Sequence, residues 1–136
     1  MVVLSHDRRG AGEPLVLIHG LGSARTVWSL VTPELAKKFD VLAVDLPGHG
    51  QTPWTAGTAM DPRALADSVR ATLDALNVKR AHLVGNSLGG WVSLELAAAY
   101  PDRVASVTAL APAGMRDKAL ERISLGFRVN RYLAVG

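Results

Sequence analysis

Gly85, Asn86, Ser87, Leu88 and Gly89 set one serine between two glycines, after the apolar run 81–84 and before an Ala/Leu-rich stretch ending near Tyr100. The pattern predicts a strand, a tight turn and a helix. Glycines at 85 and 89 omit two Cβ atoms where such a turn brings backbone segments together, and Gly90 extends that tolerance into the first helical turn. A serine at the apex presents its hydroxyl away from the strand, in front of N–H groups that the start of a helix leaves free. The chemistry this suits is attack on a carbonyl, with the N–H groups holding the oxyanion that develops. The five residues alone discriminate weakly, because a G-x-S-x-G pattern arises by chance in roughly one chain in twenty of this length. A solvated serine in a Gly-rich turn is the plain alternative, and the rest of the chain decides against it.

Composition bounds what can surround this serine. The 136 residues are one domain or part of one, 49% apolar and 20% charged, enough to bury a core. No apolar run reaches membrane-spanning length, and no charged-then-apolar leader opens the chain, so a cytoplasmic location is expected. Cysteine is absent, which excludes disulfides and thiolate chemistry. The net charge of +3 comes from scattered pairs (Arg8 with Arg9, Lys37 with Lys38, Lys79 with Arg80) rather than a stripe, so no nucleic-acid partner is expected.

The elements follow in chain order. Residues 1–7 predict a short edge strand and 8–14 a turn with Gly10 and Gly12. Residues 15–18 are a continuous apolar run, as in a strand covered on both faces of a parallel sheet, and the Gly-rich loop 19–22 follows at once. A short helical stretch surrounds Trp28. Thr32, Pro33 and Glu34 read as N-cap, first-turn proline and acidic first turn of a helix through Lys38. A second buried strand, 41–44, runs into Asp45, Pro47, Gly48, His49 and Gly50. Asp61 and Pro62 open a helix through 77, with Leu65, Val69, Leu73 and Leu76 along one face. The third strand is 81–84, its helix 89–99 stops at Pro101, and 104–110 forms a fourth strand that reads as buried on both sides but becomes an edge strand if no strand follows it. Alternating apolar strands and amphipathic helices specify an α/β fold with a parallel sheet flanked by helices. Ligands in such sheets bind at the carboxyl ends of the strands, where loops 19–22 and 45–50, Ser87 and residues 112–114 all fall.

Residues 15–22, 45–52 and 82–104 together resemble the N-terminal half of an α/β-hydrolase of the serine-nucleophile branch, in that family's order, with Ser87 on its nucleophile elbow. The resemblance implies a core over 1–114, the start of a cap or lid over 115–136, and the nucleophile strand lying between 15–18 and 104–110. It implies Ser87 as nucleophile and an oxyanion hole from the backbone N–H groups of Leu21 and Leu88. The implied reaction passes through an acyl-serine, on an ester, thioester, amide or carbon–carbon bond next to a carbonyl of a small molecule. No cofactor or metal is called for.

Other titratable residues take lesser parts. In the family pattern a histidine placed like His19 shapes the oxyanion loop, while the base follows a later strand. His49 reads as a loop brace, His82 opens a strand at the far end, and His6 lies near the terminus. A metal site from His19, His49 and Asp45 has no familiar ligand spacing; Asp45 reads as capping its own turn, and Trp28, Trp54 and Trp91 as core or pocket wall. After Ser87 come Glu95, Asp102, Asp117 and Glu121 but no histidine. None matches the family's acid, so the chain reads as a fragment, truncated after the strand that follows the nucleophile helix and inactive or very weak by itself. The rivals are a catalytically silent binding module or receptor on the same scaffold and a cofactor-free haloperoxidase-like enzyme. Substrate and oligomeric state stay open.

Overall fold

The computed structural model describes residues 3–114. Five strands, β1 (His6–Arg9), β2 (Glu13–Ile18), β3 (Phe39–Val44), β4 (Ala81–Asn86) and β5 (Val104–Leu110), form one sheet in the order β1-β3-β2-β4-β5. The pairs β2–β3, β2–β4 and β4–β5 are parallel, and β1 runs antiparallel along β3. β4, the strand that leads into Ser87, therefore lies between β2 and β5, as expected. From β2 the chain steps outward to β3, then crosses back to place β4 on the other side of β2. That reversal opens a crevice between the carboxyl ends of β2 and β4, the usual ligand position of an open α/β sheet.

The apolar runs become strands because both faces are covered. Alternate side chains point to opposite faces: Val16, Ile18, Leu42 and Val44 join a core with Leu65, Val69, Leu73, Val92 and Leu96. Leu15, Leu17, Val41 and Ala43 face the other way, against Trp28, Leu35 and Phe39. The helix α2 (Pro62–Ala75) starts as its sequence dictates: Asp61 Oδ1 accepts from Ala64 N–H at 3.0 Å, with Pro62 in the first turn. It ends earlier than the periodicity suggests, because Asn77 takes φ 57°. Val78 N–H then bonds Leu73 O at 2.9 Å and Asn77 N–H bonds Asp74 O at 3.1 Å, the paired bonds of a left-handed helix stop. Leu73 is fully buried on this helix, so Leu73→Ala is expected to cost about 2–5 kcal/mol, read as a lower urea midpoint at unchanged slope.

Three expectations need correction. The first strand is His6–Arg9 rather than 1–7, so Arg8 and Arg9 lie in the sheet; Arg8 pairs with Asp40 on β3 at 2.8 Å. The helix at 32–38 is a single turn, α1 (Thr32–Leu35), and its N-cap is Val31. Thr32 does not cap because its hydroxyl donates back to Trp28 O at 2.9 Å, closing onto the 3₁₀ turn Arg25–Trp28. β5 is the outermost described strand, and Ala105, Ser106 and Thr108 are exposed or lightly covered rather than buried on both faces. The expected cap segment, 115–136, lies outside the described residues. No described helix is long and apolar enough to cross a membrane.

Candidate active site

Ser87 stands between the end of β4 and the start of α3 (Leu88–Ala99), with φ 52° and ψ −114°. That backbone region favours glycine, and a side chain there costs about 1–3 kcal/mol unless its surroundings over-determine it. They do. Ser87 N–H donates to Leu110 O at 2.9 Å, and Ser87 O accepts from Gly90 N–H (3.0 Å), Trp91 N–H (3.2 Å) and Ala113 N–H (3.0 Å). The residue is half-buried, and among the described residues its hydroxyl has no hydrogen-bond partner.

The glycines around it are close-approach positions. A Cβ on Gly85 would lie 2.1 Å from Gly89 O, and one on Gly89 would lie 2.1 Å from Ile18 O and 2.6 Å from His19 O. The start of α3 thus rests directly on the end of β2. Because those neighbours are backbone atoms, Gly89→Ala is expected to displace the elbow from the 19–22 loop and to cost about 1–3 kcal/mol, checked by thermal melting and loss of any Ser87-dependent turnover. Gly20 shows how near the loop lies: a Cβ there would sit 3.4 Å from Ser87 Cβ.

The loop is a turn closed by Ser23 N–H to Gly20 O at 3.2 Å, with Gly22 at φ 76°. Leu21 at its tip is 79% exposed. Gly22 N–H is taken by His49 Nε2 at 3.0 Å. Among the described residues no acceptor takes the N–H of Leu21 or of Leu88. Two unclaimed donors therefore belong to the two segments that meet at Ser87.

His19, fully buried, is held at both ring nitrogens: Nδ1 donates to Gly20 O at 2.7 Å and Nε2 accepts from Leu46 N–H at 2.9 Å. Burial pushes its pKa down, helped by the neighbouring His49 and opposed by the Gly20 bond and Asp45. A neutral ring with both nitrogens engaged is a brace. His49, 4.9 Å from it ring to ring, accepts from Gly22 and donates from Nδ1 to Pro47 O at 3.0 Å. His82 bridges Glu13 (2.8 Å) and Ser106 (2.7 Å) at the amino ends of the strands, far along the sheet from Ser87. No described cluster of His, Asp and Glu is arranged to hold a metal. Trp28 packs on the core, whereas Trp54 is 55% exposed.

Asp45 does more than cap its turn. Fully buried, it accepts from Gln51 N–H at 2.9 Å, from Arg25 N–H at 2.7 Å, and pairs with the Arg25 guanidinium. Arg25 was not singled out by its sequence position; the available signal was that an aspartate at the end of a buried strand needs a cation. A separate hollow of about 420 Å³, walled by Pro47, Thr52, Pro53, Ala64 and Asp67 among others, includes none of Leu21, Ser87 and Leu88 in its lining.

Residues 13–134 match a family model described as alpha/beta hydrolase fold. The chain is 42% identical over 113 residues to a 2-hydroxymuconate semialdehyde hydrolase of Pseudomonas sp. (strain CF600), covering 81% of this chain and 40% of that protein. It is 42% identical over 116 residues to a dihydrolipoyllysine-residue acetyltransferase component of an acetoin cleaving system from Pseudomonas putida, covering 85% and 31%. A marine microorganism esterase superposes with a TM-score of 0.79 at 26% identity, over 96% of this chain and 49% of the esterase. The chain thus spans less than half the length of each.

Proposed function

We propose, because this chain belongs to the α/β-hydrolase fold family, that Ser87 is the nucleophile of a serine hydrolase working through an acyl-serine. Ser87 Oγ attacks the carbonyl carbon of a small-molecule ester, thioester, amide or carbon–carbon bond next to a carbonyl. A base removes the hydroxyl proton, and the N–H groups of Leu21 and Leu88 hold the tetrahedral oxyanion. Collapse expels the leaving group, which takes that proton, and water then releases the acid from the serine. The observation that carries this is the strained Ser87 backbone, φ 52°, at a strand-to-helix turn whose hydroxyl no described residue uses. A merely structural serine gives no reason to keep that conformation.

The base in this mechanism is a histidine other than the four of this sequence, all of which lie among the described residues. His19, His49 and His82 each have both ring nitrogens engaged, and His6 Nδ1 is tied to Leu4 O at 2.8 Å. Relatives more than twice as long leave room for such a histidine and its orienting carboxylate. The experiment is to treat the natural protein carrying this chain with a fluorophosphonate and map the adduct by peptide mass spectrometry. Labelling of Ser87 is expected. A folded protein that binds carbonyl compounds yet takes no label would instead be a silent binding module, and an adduct on another residue would move the nucleophile.

A further inference from the structure

An exposed turn has no packing to fix the direction of its N–H groups, so hydrogen bonds must do it. The tip of the 19–22 loop is such a turn: Leu21 is 79% exposed, and a Cβ on Gly22 would touch nothing within 4 Å. Besides its own Ser23–Gly20 bond, the tethers on either side of it come mainly from the segment 45–51, with Asp7 also pairing the Arg25 guanidinium. Leu46 N–H holds His19 before the turn, and Asp45 holds the Arg25 backbone and guanidinium after it. At the turn itself the one such side-chain tether among the described residues is His49, whose Nε2 accepts Gly22 N–H at 3.0 Å while Nδ1 donates to Pro47 O at 3.0 Å. The Nδ1–Pro47 bond fixes the tautomer that leaves Nε2 free to accept.

We infer that His49 is a positioning residue for the oxyanion hole, aiming the peptide that carries Leu21 N–H through its bond to the next N–H in the chain. The inference rests on the mechanism proposed above. His49 touches neither substrate nor Ser87 in it. Its effect falls on the transition state, because a donor must lie where the oxyanion forms, not where the ground-state carbonyl sits.

Two substitutions separate the acceptor from the ring. His49→Asn places an amide where Nδ1 lies, keeps donation to Pro47 O and falls short of Gly22. His49→Gln carries a carbonyl oxygen out to the Nε2 position. Both are made in the natural protein, with Ser87→Ala as the blank. Amide hydrogen exchange at Gly22 and the kcat and KM for a nitrophenyl ester are then measured. His49→Asn is expected to speed Gly22 exchange and to lower kcat about 10- to 100-fold with KM nearly unchanged, as for a donor displaced by about an ångström. His49→Gln is expected to restore both. Equal losses in the two variants would make His49 a packing residue, and an unchanged kcat in His49→Asn, or a rise in KM alone, would also overturn the assignment. If wild type shows no Ser87-dependent turnover, the hydrolase mechanism fails and the positioning role with it. Gly22 exchange then still reports whether His49 holds the turn.

Discussion

Ser87→Ala in the natural protein is expected to lower nitrophenyl-ester turnover by about 10⁴-fold or more, since loss of the serine from a serine-histidine pair in a hydrolase of another fold costs about 10⁶. Stability should hardly change. Alanine inherits the same positive φ, and the hydroxyl it lacks bonds no described residue. Ser87→Gly divides the two effects further: it abolishes turnover equally but relieves a strain of about 1–3 kcal/mol, so its melting temperature should not fall below that of the alanine variant. A serine kept for the fold would behave the other way, with turnover intact and stability lost. The 136-residue chain assayed alone should show only feeble turnover, little changed by Ser87→Ala, because both ring nitrogens of His19, His49 and His82 are engaged. Robust Ser87-dependent turnover by that chain would return the base to His19 or His49.

The strands and the elbow were legible because their causes are local. Leu15 to Ile18 and Val41 to Val44 are apolar at every position, which only a strand covered on both faces requires, and both are buried throughout. Gly85 and Gly89 announce close backbone approach, and a Cβ on either would lie 2.1 Å from a backbone carbonyl oxygen. What stayed illegible depends on atoms every residue possesses. Thr32 has the side chain of an N-cap, but a carbonyl four residues earlier competes for its hydroxyl. The hold of His49 on Gly22 joins positions 27 residues apart through a backbone N–H, which leaves no mark in the choice of side chain. Val104 to Leu110 is apolar enough for an interior strand, but burial depends on a neighbour, and none of the described residues covers its outer edge.

Asp45→Asn is expected to destabilise the fold by about 3–5 kcal/mol at neutral pH, the usual loss when one partner of a buried ion pair is removed. Burial works against ionisation of Asp45, but the N–H groups of Arg25 and Gln51 and the Arg25 guanidinium outweigh it and hold the carboxyl below the usual range. Asparagine fits the space yet must turn an NH₂ toward one of those donors, leaving it unpaired. Gly50 makes the site unforgiving, since a Cβ there would lie 2.3 Å from the Asp45 carboxyl carbon and little can shift to help. The sign of the pH dependence follows from the depressed folded-state value. The charge on Asp45 contributes in full above the unfolded aspartate value of about 4 and is lost as pH falls through the lower folded value. His19 titrates in the same direction at higher pH: its lowered folded value means stability present above about 6.5 is lost as pH falls below that. That loss is common to wild type and variant, so it cancels in their difference. Urea unfolding of both proteins from pH 7 downward should therefore show a gap that is flat to about pH 4 and narrows only below it. A gap under about 1 kcal/mol at pH 7 would reduce Asp45 to an ordinary surface-grade ion pair. A gap that narrows already between pH 7 and 5 would mean that the substitution had also loosened the His19 brace, coupling the ion pair to the turn that carries Leu21.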